Sequence, residues 1–211
     1  MSRWKRSALL TLVSMAALGL PLLAQADCSI TGNVSAEMNN QNPEMGTWMY
    51  TMVVTWETGT MYGLSHFNLL VDIMGGTCLC EDVTDAIVMV NPAGTSDGVT
   101  SGPMGGDPCT LDWNTYLVCD GDPSIPGVDG IILKWEPDES LGCEPDVAGT
   151  VSVVFYSDLA PVPVDEDLIS MSDKAGLTYC FGHVTGVFPG LACDPVPAEG
   201  TSWGSLKGDY R

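Results

Sequence analysis

The residues best suited to moving a proton or holding a metal are the two histidines, His66 and His183. Imidazole titrates near neutrality and ligates through either ring nitrogen. His66 lies in Leu64-Ser65-His66-Phe67-Asn68-Leu69-Leu70-Val71-Asp72-Ile73, which alternates like a strand. Its even positions carry His66, Asn68 and Asp72, so His66 is expected to face solvent or a polar groove. His183 shares its strand face with Tyr179 and Phe181. A single histidine in a strand is more often structural than a ligand. Gly94-Thr95-Ser96-Asp97-Gly98 matches the G-x-S-x-G nucleophile pattern. That chemistry needs a strand, a sharp turn and then a helix. Val99-Thr100-Ser101-Gly102-Pro103 follows instead, so a Gly/Ser loop is expected.

Carboxylates cluster at Asp120, Asp122 and Asp129, at Glu136, Asp138 and Glu139, and at Asp165, Glu166 and Asp167. Hard oxygen ligands on loops suit calcium, and Asp120, Asp122 and Asp129 form the candidate calcium loop. The EF-hand pattern is not met: Ile125 stands at the sixth position and Ile131 at the twelfth. Paired carboxylates also serve glycoside hydrolysis, but only their separation in space decides that. Methionine thioethers bind copper. Met49 and Met52 fall on opposite strand faces, so core filling is the expectation.

Eight cysteines, Cys28, Cys78, Cys80, Cys109, Cys119, Cys143, Cys180 and Cys193, are the other reactive set. An even number in an exported chain reads as disulfides. Sequence proximity suggests Cys109 with Cys119 and Cys180 with Cys193, the other pairs staying open.

Export is expected from residues 1–26. Met1-Ser2-Arg3-Trp4-Lys5-Arg6 is basic, an apolar run follows from Ala8 to Ala24, and Ala24-Gln25-Ala26 is a small-x-small cleavage site. Cleavage after Ala26 removes three of seven basic residues and no acidic one, taking the net charge from −20 to −23. Such a surface repels nucleic acid and anionic membrane and attracts cations. No later apolar stretch is long enough to span a membrane as a helix. Residues 27–195 then form one domain and 196–211 a C-terminal tail, set off by Pro195, Pro197 and Gly200.

The elements that must position these groups are strands. Trp48, Tyr50, Met52, Val54 and Trp56 alternate with Thr47, Met49, Thr51, Val53 and Thr55, an aromatic inner face against a threonine-rich outer one. Trp48, Tyr50 and Trp56 could stack on sugar, but Met52 and Val54 beside them indicate core. Further strands are expected at 86–90, 131–136, 150–156 and 177–187, with turns at Asn91-Pro92-Ala93-Gly94 and 158–163. Residues 91–130 read as a long Gly/Pro-rich loop. The expected fold is all-β, a disulfide-stapled antiparallel β-sandwich.

The strand containing Leu64-Ser65-His66-Phe67, placed after an alternating strand, resembles those of bacterial exported surface β-sandwich proteins over some 30 residues. The resemblance implies a surface role and transfers no site residues. The expected function is non-enzymatic: a secreted, extracellular or periplasmic protein acting in adhesion, matrix or envelope structure, with surface or matrix components as partners. The alternatives are a calcium- or carbohydrate-binding module and a secreted hydrolase using paired carboxylates or His66 with an acid.

Overall fold

The computed structural model describes residues 28–73, 78–100 and 106–191. The expected leader 1–26, Cys193 and the expected tail 196–211 lie outside the described residues. Eleven strands form: β1 Ser29–Met38, β2 Trp48–Glu57, β3 Leu64–Ile73, β4 Ile87–Met89, β5 Thr95–Thr100, β6 Pro108–Val118, β7 Gly130–Asp138, β8 Cys143–Pro145, β9 Ala148–Ser157, β10 Pro161–Asp173 and β11 Tyr179–Pro189. One short helix, α1 Cys80–Ala86, precedes β4.

The all-β class expected from the sequence is what forms. All eleven strands join one hydrogen-bonded sheet in the order β4-β9-β2-β1-β11-β10-β3-β7-β6-β5-β8. Its pairings are antiparallel except for β1 and β11, which run parallel, so the sheet is mixed rather than purely antiparallel. The sheet curls strongly. Strands β2 and β6 stand six places apart in the order, which on a flat sheet is about 29 Å at 4.8 Å per strand. Yet Trp56 on β2 and Trp113 on β6 meet edge to face with ring centroids 6.4 Å apart. The chain also passes from β8, at one edge of the order, to β9, next to the other edge, through Asp146-Val147 alone.

The concave side holds the core. Tyr50, Met52, Val54 and Trp56 of β2 are buried there with Phe67, Leu69, Trp113, Leu133, Trp135, Val153 and Phe155. Phe67 stacks on Trp135 with centroids 5.0 Å apart. The aromatic face of β2 is therefore core, as its aliphatic companions implied. Burial pushes the Tyr50 phenol up to about 12, and its hydroxyl donates to the Leu159 carbonyl at 2.7 Å.

Several expectations are corrected. Residues 95–100 and 108–118 of the expected long loop are strands β5 and β6, and 119–129 is irregular as expected. The G-x-S-x-G stretch runs into strand β5 rather than a helix. The turn expected at 158–163 gives way to β10 from Pro161. The first half of β10 pairs with β11 alone, and β3 joins only at Ile169. Prolines 161 and 163 thus sit where one side of the strand is free, and their missing N–H costs no ladder bond on that side.

The sequence-local disulfides do not form. Cys109 bonds Cys143 and Cys119 bonds Cys80, while Cys180 bonds Cys28. Cys109 and Cys119 lie near opposite ends of the extended strand β6 and cannot meet. Cys78 is also disulfide-bonded. The three described bridges place the chain in an oxidising, extracellular-type compartment. Among the described residues no helix is long and apolar enough to cross a membrane.

Candidate functional site

Segment 119–129 folds back over the convex face of β3 and β7. Its start is tied to α1 through Cys119–Cys80. Gly121 makes the turn with φ of 73°, where a Cβ would lie 2.1 Å from the Val128 carbonyl oxygen, so only glycine fits. Ile125 and Val128 pack on Leu70 and Ile132 in a small second core. This brings the side chains of Asp122 and Ser124 down onto His66 and Asn68 of β3 and Lys134 of β7.

The Asp122 carboxylate is 3 % exposed and receives five donors. Its Oδ2 lies 2.8 Å from His66 Nε2, 3.1 Å from Lys134 Nζ and 3.0 Å from Asn68 Nδ2. Its Oδ1 accepts from the Ser124 N–H at 2.9 Å and the Ser124 hydroxyl at 2.5 Å. Burial alone would raise its pKa, but hydrogen bonds from His66 and Ser124 and the charge on His66 outweigh it and hold the carboxyl well below the usual carboxylate range. Lys134 also pairs with Glu136 at 2.7 Å. Burial works against its charge, yet Glu136 and Asp122 together push its pKa up. Asn68 Oδ1 is buried with no hydrogen-bond partner.

His66 is 5 % exposed and faces this cluster rather than open solvent, because segment 119–129 covers it. Its Nδ1 lies 3.1 Å from Ser65 Oγ. Ser65, His66 and Asp122 thus form a hydrogen-bonded chain in the order of a nucleophile, base and orienting acid. The carboxylates of the expected calcium loop part company. Asp122 is committed to protein donors, Asp120 and Asp129 are exposed, and among the described residues no group of three or more His, Cys, Asp or Glu could hold a metal ion.

His183 occupies a second polar cluster. Asp165 and Asp167, two residues apart on β10, share a strand face beside the register shift between Glu166 and Ile169, and both reach His183. His183 Nε2 lies 2.6 Å from Asp165 Oδ1, and Nδ1 lies 2.8 Å from Asp167 Oδ1. The bond to Asp165, then that to Asp167, raises the His183 pKa against a small opposing effect of burial.

His183 ends one row of a wide exposed face. In register across four strands stand Thr150, Thr55, Thr31 and His183, and across five stand Ser152, Val53, Asn33, Thr185 and Asp165. Thr55 and Thr150 hydroxyls lie 3.1 Å apart, and the Asn33 amide donates to Thr185 Oγ1 at 3.0 Å.

Asn68, Ser124 and Lys134 were not singled out from sequence. Lys134 carried a signal all the same: one lysine inside the apolar run Ile131-Ile132-Leu133-Lys134-Trp135 needs a buried anion. No family model matches the chain, nor does a curated protein or a solved structure.

Proposed function

We propose that the chain is a non-enzymatic secreted or cell-surface protein that works by surface contact, in adhesion, matrix or envelope structure. Residues 1–26 serve as its cleaved export leader, and the disulfides suit the compartment this leads to. The observation that carries the reading is the convex face of β9, β2, β1, β11 and β10. It presents exposed Thr150, Ser152, Thr55, Val53, Thr31 and Asn33 in cross-strand rows, a broad array of hydroxyl and amide groups for a partner surface.

The test is retention of the purified protein on insoluble chitin, cellulose and peptidoglycan, with self-association followed by sedimentation velocity. Wild-type protein is expected to associate in at least one of these assays. A Thr31→Arg/Thr55→Arg variant with an unchanged circular dichroism spectrum is expected to bind about tenfold more weakly or worse. Association unaffected by that variant, or no association at all, overturns the reading. A second reading, a secreted hydrolase, is favoured by the Ser65–His66–Asp122 chain. Turnover of chromogenic esters or glycosides that disappears in His66→Ala would establish it instead.

A further inference from the structure

Asn68 and Lys134 are direct register partners on the antiparallel strands β3 and β7. Side chains at such positions lie on one face with Cβ atoms about 5 Å apart. Asn68 is fully buried, and Lys134 Nζ belongs to a side chain only 17 % exposed. Both side-chain nitrogens contact one oxygen, Asp122 Oδ2, at 3.0 Å and 3.1 Å, so an amine, an amide and an acid share one enclosed space. The amide carbonyl, Asn68 Oδ1, has no partner. A buried acceptor without a partner calls for an explanation, and a reactive role is one of those such groups have.

We propose that Lys134 and Asn68 become joined by an intramolecular isopeptide bond between β7 and β3, formed once per chain with Asp122 as the proton carrier. The Lys134 ammonium passes a proton to Asp122 Oδ2, and the freed lone pair of Nζ adds to Asn68 Cγ. The tetrahedral centre collapses with breakage of the bond from Cγ to Nδ2. The departing nitrogen takes up protons through Asp122 and leaves as ammonium, which restores the carboxylate. Lysine ammonium plus asparagine amide gives a secondary amide plus ammonium, with no oxidant or cofactor required. Burial holds the reacting groups at high effective concentration and excludes competing water. The charged groups at Lys134 are Asp122, Glu136 and, through Asp122, His66, with Tyr116 of β6 its other register partner. Asp122 and Glu136 favour the ammonium, so the free amine is scarce and the bond forms slowly. The proton passes within the Lys134–Asp122 pair, so the reactive amine–acid form carries the same number of protons as the ion pair. The rate is therefore expected to vary little with pH between the two groups' pKa values. The inference stands on this cluster alone and does not depend on the function proposed above.

The test is mass spectrometry of the purified, reduced and denatured protein. The expected intact mass is about 17 Da below the sequence mass, the loss of one ammonia. Cyclisation of a terminal glutamine gives the same loss, so peptides decide. Chymotryptic digestion should yield a branched peptide joining the segments around Asn68 and Lys134, and trypsin should fail to cut after Lys134. Lys134→Arg and Asn68→Ala should each restore the full mass. Should those variants fail to fold, the wild-type branched peptide alone decides. Wild-type protein that shows no branched peptide and is cut after Lys134, even after long incubation of the folded chain, overturns the proposal, whatever its intact mass.

Discussion

Lys134 Nζ stands 3.1 Å from Asp122 Oδ2 beneath segment 119–129, so the only cation that β7 sends to its convex face is held by an anion delivered from the loop that covers it. Removing one partner of such a pair leaves a buried charge uncompensated. Asp122→Ala is expected to cost about 3–5 kcal/mol. Urea denaturation should show this as a lower midpoint, and hydrogen exchange should show segment 119–129 losing protection before the strands of the main core. A loss within experimental error would mean that the loop is held by Ile125, Val128 and the Cys80–Cys119 bridge alone.

Acid stability follows from the same carboxylate. Its folded pKa lies below the unfolded value of about 3.9. Its contribution is therefore fully present above that unfolded value and is lost as the pH falls towards the folded one. Stability measured by chemical denaturation should decline below about pH 4, and the decline should be shallower in Asp122→Ala. Equal acid limbs in the two proteins would refute the assignment.

His183 titrates in the opposite sense. Asp165 and Asp167 raise its pKa, so its stabilising contribution is present below the unfolded value of about 6.5 and is lost as the pH rises through the folded one. The group is 44 % exposed, so the effect on global stability is small and the titration itself is the readout. NMR of the imidazole should give a pKa above the ordinary histidine value. Asp165→Asn should lower it, and Asp167→Asn should lower it less.

The parallel seam between β1 and β11 depends on Gly186. It has φ of 110°, and a Cβ there would lie 1.9 Å from the Val34 carbonyl oxygen. Gly186→Ala is expected to cost at least about 2 kcal/mol, combining backbone strain with displacement of β1. Thermal melting should show it, and amides of β1 should exchange faster.

Residue alternation made much of the fold legible. Strands β2 and β3 were placed almost to the residue, because Tyr50, Met52, Val54 and Trp56, and then Phe67 and Leu69, point one way. Strand β1 was hidden because its inner face carries Gly32 between Ile30 and Val34, filled by Val184, Ile169 and Met52 from neighbouring strands, so its own pattern is weak. Strand β10 was hidden by prolines and acids that read as a turn, and only the one-sided pairing of its first half explains them. The polar face of β3 was visible as His66, Asn68 and Asp72, but its burial was not. That depends on segment 119–129 crossing over it, a long-range contact that periodicity does not encode. The disulfides failed for a related reason. Sequence proximity favours Cys109 with Cys119, whereas an extended strand separates them.

Disulfide mapping of the purified, non-reduced protein tests the curled, bridged sheet most directly. It bears at once on the closure of the fold, the anchoring of segment 119–129 and the oxidising compartment. The expected result is linkage of Cys28 to Cys180, Cys80 to Cys119 and Cys109 to Cys143, with no free thiol among these six. Recovery of a Cys109–Cys119 peptide, or of these cysteines as free thiols, would contradict it.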